Sequence, residues 1–378
     1  MSAQSLPLAI PEQLASSRSF ELGYCPSLDG VRGMAILSVL AVHTNHLFGW
    51  SLLRGGSLGV DIFFVLSGFL ITCLLLEEWT RTGDISLRHF YWRRFWRLVP
   101  AFLLVTGVLL VLSDVAFSAA EATSTRRAIP VALLYLTDFL ASFSPATSLG
   151  ALRHTWSLAI EEHFYLLWPP ILLLLLKSDL SKRNLLILTG SLALAVSSHR
   201  AFLFASGLSP ARTYYAFDTR ADALLIGCAT GMAVTWGLVQ SRNLFTILAV
   251  ALMALCVIGT DFASPVMHEG GFTIFAAATA LLLINLVLDT RGVFKSCLEL
   301  RPLVWVGKIS YGVYLWHYPV FKAVSYLNTA WPFKLAVALS GTFAIASASF
   351  YVIEKPLLRL KQRFIRVGTN SDVVAARN

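Results

Sequence analysis

The sequence predicts an all-α, polytopic transmembrane helix bundle with about ten spans, and three observations carry that prediction. Apolar residues fill 56% of 378 positions and charged residues only 13%. The mean hydropathy of +0.69 exceeds what a water-soluble domain of this length carries. Long apolar segments recur along nearly the whole chain, each about long enough for a helix to cross ~30 Å of hydrocarbon.

Those segments are 34–53, 57–79, 98–118, 157–176, 184–205, 214–237, 243–260, 271–289, 302–323 and 333–353. An eleventh stretch, 129–143, is shorter, opens on Pro130 and is broken by Asp138, so it is expected to lie at the interface or to re-enter. Basic clusters occur at Arg81/Arg88/Arg93/Arg94/Arg97, Lys177/Lys182/Arg183, Arg242, Arg291/Lys295/Arg301 and Lys355/Arg359/Lys361/Arg363/Arg366. Treating 129–143 as non-spanning puts all five on one side, which the positive-inside rule assigns to the cytoplasm. Arg54, Arg126, Arg127, Arg153 and Arg212 run against that pattern. The expected organisation is a cytoplasmic N-terminal segment (1–23), a membrane domain (24–360) and a basic, disordered tail (361–378), with both termini cytoplasmic. A bacterial inner membrane is the expected location.

Several classes drop out. The net charge of +9 sits mostly at span borders, where it meets anionic headgroups, and no basic groove with interleaved aromatics points to nucleic acid. Residues 1–22 lack the cationic start, apolar core and cleavage site of a secretory leader. The cysteines at 25, 73, 228, 256 and 297 show no metal-ligand spacing, so neither a disulfide framework nor a metal is expected. No solenoid-type repeat and no appended soluble domain are expected either.

The first span carries Arg32 within Asp29-Gly30-Val31-Arg32-Gly33 and His43 eleven residues later. At about 100° and 1.5 Å per residue the two side chains share nearly one face, roughly 16 Å apart. An ionisable group inside lipid is expensive unless it faces protein or a cavity, and it marks a functional site by default. A packed, hydrogen-bonded histidine is the competing reading of His43.

The chain resembles the acyltransferase 3 family of membrane acyltransferases. The matching pieces begin with Ser27-Leu28-Asp29-Gly30-Val31-Arg32-Gly33 leading to His43, and Gly59-Val60-Asp61-Ile62-Phe63-Phe64-Val65-Leu66-Ser67-Gly68-Phe69-Leu70-Ile71-Thr72. They continue with Tyr91-Trp92-Arg93-Arg94-Phe95-Trp96-Arg97-Leu98-Val99-Pro100, and His154-Thr155-Trp156-Ser157-Leu158-Ala159-Ile160-Glu161-Glu162-His163-Phe164-Tyr165. Ser310-Tyr311-Gly312-Val313-Tyr314-Leu315-Trp316-His317 and Glu354-Lys355-Pro356 complete the series, which spans about residues 24 to 360. The resemblance implies transfer of an acyl group, usually acetyl, from acyl-coenzyme A as co-substrate to a hydroxyl of a sugar or glycosylated product. It implies essential roles for Arg32 and His43, and it marks Arg94 and Arg97 as a family hallmark.

The chemistry is compatible with those roles. An attacking alcohol must lose its proton, and a neutral imidazole near its ordinary pKa suits that task, which makes His43 the candidate general base. A carboxylate would orient such a histidine, with Asp61, Glu161 and Glu162 as candidates. Ser157, Glu161 and Tyr165 are spaced four apart on one helical face, with Trp168 nearby, so Trp156, Ser157 and Tyr165 are candidate sugar contacts. An interfacial aromatic belt with a solvated carboxylate is the alternative. Arg94 and Arg97, one turn apart, suit the phosphates of coenzyme A together with Arg32, although topogenic positive charge explains them as well.

Asp218, Arg220 and Asp222 interrupt an apolar span and are expected to pair inside the bundle or to bind acceptor. His317 has three readings: an acceptor contact, an orienting partner of Glu161, or a member of the aromatic belt. The acceptor is expected to be a cell-surface or exported carbohydrate such as lipopolysaccharide or exopolysaccharide, or alternatively a small glycosylated product such as a macrolide. A proton-coupled secondary transporter is the reading from another class, weakened by the lack of two related halves.

Overall fold

The computed structural model describes residues 21–48, 53–289 and 292–357. Most of the expected N-terminal segment and the whole expected tail lie outside the described residues. Among the described residues, fifteen α-helices, with four short 3-10 or π-helical segments and no strands, make up the regular structure, in keeping with an all-α membrane protein. In chain order they are α1 (Pro26–Phe48), α2 (Gly59–Thr82), α3 (Leu87–Ala116), α4 (Ala119–Leu133), α5 (Thr137–Phe143), α6 (Trp156–Lys177), α7 (Lys182–Ala205), α8 (Pro210–Tyr215) and α9 (Phe217–Thr235). The series ends with α10 (Asn243–Gly259), α11 (Phe272–Leu288), α12 (Val293–Leu298), α13 (Arg301–Lys308), α14 (Ser310–Ser325) and α15 (Trp331–Ser349).

Among the described residues, six helical stretches are long and apolar enough to cross a membrane: Arg54–Thr82, Leu87–Ala116, Gly150–Lys177, Lys182–Ala205, Met267–Leu288 and Trp331–Leu357. The count of ten expected from the sequence is therefore not reached on length and composition. The four remaining expected spans do carry helices, namely α1, α8–α9, α10 and α13–α14, but these are shorter or more polar. The 129–143 stretch forms no continuous span. It is divided between α4 and α5 by a turn in which Tyr135 has φ 55°, and neither helix alone is long enough to cross the hydrocarbon.

Burial separates a centre from a periphery. The most apolar window of the stretch containing α2 is 78% buried, against 33% for α3 and 22% for α7 and α15. The α3 side chains Leu103, Leu110, Val111 and Val115 are exposed, as expected where lipid is the solvent.

Glycines let the central helices approach backbone to backbone. A Cβ on Gly68 of α2 would collide with the Leu224 carbonyl of α9, and one on Gly227 with the Val65 carbonyl. The same relation holds between Gly30 and the Leu298 carbonyl, and between Gly307 and the Asp29 carbonyl, which presses α1 onto α12 and α13. Small residues at helix crossings are how bundles gain van der Waals contact in lipid, where association has no hydrophobic drive.

Prolines leave helical carbonyls free, and one of these is taken up across helices. Pro170 has no N–H for the Leu166 carbonyl four residues back, and the Tyr91 hydroxyl of α3 donates to that oxygen at 2.8 Å. Near the same end of the bundle, outside the apolar helices, Asp84 accepts from Lys177 at 3.1 Å, and this bond holds its carboxyl below the ordinary carboxylate range.

Buried charges pair within the bundle. The fully buried Asp61 of α2 accepts from Arg220 of α9 at 2.6 Å, and Arg200 of α7 lies 2.9 Å from Asp222. Phe272 and Tyr214 add ring faces 4.0 and 4.9 Å from the Arg220 guanidinium. Of the three polar groups expected to pair inside this span, Asp218 instead pairs with Arg212 at 2.6 Å and stays half-exposed. Removing one member of a buried pair strands the other at a cost of about 3–5 kcal/mol, whereas replacing both with apolar groups is often neutral. Asp61→Ala should lower the thermal midpoint in detergent sharply, and Asp61→Ala with Arg220→Met should recover most of the loss; equal midpoints for wild type and the single variant would contradict the pairing.

Candidate active site

Two cavities lie end to end along α1, α2, α6 and α14. The first has a volume of about 290 Å³ and is lined by Arg32 of α1, Ser67 of α2, Arg94 and Arg97 of α3, and Ser157, Glu161 and Tyr165 of α6. The second, of about 280 Å³, is lined by His43 of α1, His154 just before α6, Trp156 at its start, and Tyr318 of α14. Val60 and Tyr314 line both, so these two side chains form a common wall.

The first cavity is lined by three arginines and two carboxylates, Asp29 and Glu161. Arg32 donates to Asp29 at 3.0 Å, one turn away. The Arg94 guanidinium lies 4.5 Å from the Tyr165 ring centroid. Among the described residues neither Arg94 nor Arg97 has a carboxylate within ion-pair distance, so both cations are available to an anion entering the cavity.

Glu161 is held by hydroxyls. Ser67 donates to its Oε1 at 2.9 Å and Tyr165 to its Oε2 at 3.2 Å, while the Tyr165 hydroxyl also lies 3.0 Å from Ser67 Oγ. Ser157 Oγ is 2.5 Å from the Tyr314 hydroxyl, which donates to the His154 carbonyl at 2.5 Å. The stripe of hydroxyl, carboxylate and phenol on α6 thus faces one cavity as the four-residue spacing implies, and Trp168 continues it with a bond to Thr72 at 2.9 Å.

The second cavity is aromatic. His43 Nδ1 lies 2.9 Å from the Val39 carbonyl and 3.2 Å from His317 Nε2, with the Tyr318 ring edge-on at 5.3 Å. Trp156 packs against Tyr214 and Tyr215 at centroid distances of 4.9 and 5.0 Å.

A family model described as an acyltransferase domain matches residues 26–353, which is most of the chain. The chain belongs to the acyltransferase 3 family. Among its relatives, the peptidoglycan O-acetyltransferase OatA of Listeria monocytogenes is 36% identical over 354 residues, covering 88% of this chain and 56% of that protein. The O-acetyltransferase OatA of Staphylococcus aureus is 33% identical over 360 residues, covering 88% of this chain and 57% of its own length. The chain therefore spans little more than half the length of these relatives. No solved structure matches it.

The structure places the sequence candidates in three groups. Arg32, Arg94, Arg97, Ser157, Glu161 and Tyr165 come together around the first cavity, and His43 with Trp156 around the second. His317 and Asp61 line neither. Asp61, a candidate partner for His43, is taken by Arg220, because a fully buried carboxylate needs a buried cation beside it. Glu161 is separated from His43 as well, since its hydrogen bonds go to Ser67 and Tyr165 in the other cavity. His317, a candidate sugar contact, is fully buried beside His43 instead.

Sequence reasoning gave no role to Ser67, Tyr314 or Tyr318. Tyr314 and His317 stand three apart and so share a helical face, a signal that could have linked them. Ser67 lies alone in an apolar run with no local pattern to mark it. Ser67→Ala would leave Glu161 and Tyr165 without their shared partner and should cost about 1–3 kcal/mol of stability, read as a lower thermal midpoint in detergent; an unchanged midpoint would show that the triad holds nothing together.

Proposed function

We propose that this chain forms the membrane acyltransferase part of a bacterial O-acetyltransferase that moves an acetyl group from acetyl-coenzyme A to a hydroxyl of peptidoglycan. The observation that carries the reading is the division of labour between adjoining cavities, with uncommitted arginines in one and an imidazole in the other, meeting at Val60 and Tyr314. The relatives named as peptidoglycan O-acetyltransferases support the choice of acceptor.

On this reading Arg94 and Arg97 bind the donor's phosphates by charge-assisted hydrogen bonds, with Arg32 deeper in the same cavity. The pantetheine arm carries the thioester toward the Val60–Tyr314 wall. His43 takes the proton of the acceptor hydroxyl as its oxygen bonds to the thioester carbonyl carbon. The carbon–sulfur bond then breaks, and coenzyme A leaves as the thiol after taking up a proton. The arginine cavity faces the cytoplasm, where the donor is made, and the His43 cavity faces outward toward the exported carbohydrate. This side assignment follows the basic borders of the spans.

Kinetics on protein in detergent, with acetyl-coenzyme A and soluble peptidoglycan fragments, test the proposal. His43→Ala should lower acceptor-dependent thiol release by about 10²–10⁴-fold. Arg94→Gln and Arg97→Gln should raise KM for acetyl-coenzyme A roughly tenfold each, as expected for a lost charged hydrogen bond. Undiminished turnover by folded His43→Ala would overturn the assignment of the base. Failure of the wild type to bind any acyl-coenzyme A would favour the transporter reading.

A further inference from the structure

His317 of α14 sits directly behind His43, fully buried, with its ring tilted 53° to that of His43 at a centroid distance of 4.8 Å. Its Nδ1 lies 2.6 Å from the Tyr314 carbonyl oxygen and 3.2 Å from that of Val313, and its Nε2 lies 3.2 Å from His43 Nδ1. A carbonyl oxygen only accepts, so the 2.6 Å contact puts a proton on His317 Nδ1. In the neutral imidazole Nε2 then carries the lone pair and acts as an acceptor. The proton in the contact between the two rings therefore belongs to His43 Nδ1. The Val39 carbonyl, 2.9 Å from the same nitrogen, shares that proton as a second acceptor, so the preference for this tautomer is divided between the carbonyl and His317.

We propose that His317 is a positioning residue that fixes His43 in the tautomer with Nδ1 protonated and Nε2 basic, so that Nε2 is the atom that receives the acceptor's proton. The inference rests on the reading of His43 as the base. When Nε2 takes that proton, the imidazolium keeps its Nδ1–H donated to His317, and the bond becomes charge-assisted. A carboxylate commonly fills this place in catalytic histidine pairs. A neutral imidazole holds the same tautomer without adding a second buried charge, which matters where desolvating an ion costs several kcal/mol. The backbone anchor comes from α14 itself, because Val313 and Tyr314 lie four and three residues before His317 and the ring bonds back along its own helix.

Nitrogen NMR of ¹⁵N-histidine-labelled protein in detergent micelles reads the tautomer directly, with the His43 signals assigned by their loss in His43→Gln. In the wild type the unprotonated nitrogen of His43 should be Nε2. His317→Leu should give a mixture of tautomers and a fall in kcat of roughly tenfold or more, with KM for acetyl-coenzyme A unchanged. His317→Gln, whose side-chain oxygen can accept from Nδ1, should keep the Nε2 lone-pair form and recover most of kcat, and it keeps the test open if the leucine variant fails to fold. A wild-type lone pair on Nδ1, or a tautomer unaltered in His317→Leu, would overturn the inference alone. A tautomer that changes with no change in kcat would overturn it together with the reading of His43 as the base.

Discussion

Backbone contact between α1 and the α12–α13 pair sets the position of both chemical centres. Gly30 and Gly307 let the carbonyls of Leu298 and Asp29 come closer than any side chain would allow, so α1 cannot slide or rotate without a collision. Arg32 and His43 ride on that one helix, about 16 Å apart by its rise. Fixing α1 therefore fixes the spacing between the arginine-lined cavity and the imidazole-lined cavity, and α2, seated on α1 through Gly59 against the Ala35 carbonyl, closes their common side.

The buried ion pairs tie that scaffold together. Asp61–Arg220 ties α2 to α9, and Arg200–Asp222 ties α7 to α9, with Thr273 of α11 donating to Asp222 at 2.6 Å. In lipid a charge pair cannot exchange its partner for water, so each pair locks the relative height of two helices as well as their contact. The glycine crossing of α2 and α9 at Gly68 and Gly227 lies on the same interface, so van der Waals packing and charge specify one register.

What the sequence made legible were features written along single helices. Apolar length marks where the helices run, helical spacing puts Arg32 with His43 and Ser157 with Glu161 and Tyr165, and one turn brings Arg94 to Arg97. The contacts it left unreadable join residues far apart in the chain: Asp61 with Arg220, His43 with His317, and Ser157 with Tyr314. Nothing in a local period says which carboxylate faces which cation. Asp61 therefore looks as suitable a partner for His43 as it is for Arg220 until tertiary packing decides. The span count is similarly ambiguous, since α9 is polar enough to fail a hydropathy test and yet has most of its residues buried inside the bundle.

Tyr314 shows why two cavities differ in consequence from one long channel. Its ring stands between them, and its hydroxyl is bonded to Ser157 of the first cavity and to the backbone of His154 beside the second. Both bonds run from α14 to the segment that begins α6, so the wall is as rigid as the contact between those elements. On the proposed function, a thioester held by the arginines would be screened from water entering beside His43, and an acyl group leaving the first cavity would meet the imidazole only across the Val60–Tyr314 line. The same α14 that carries this wall carries His317 one turn further on, behind His43. Any displacement of α14 that opens the wall must also disturb the contact that holds the imidazole, so the wall between the cavities and the setting of His43 are mechanically linked through a single helix.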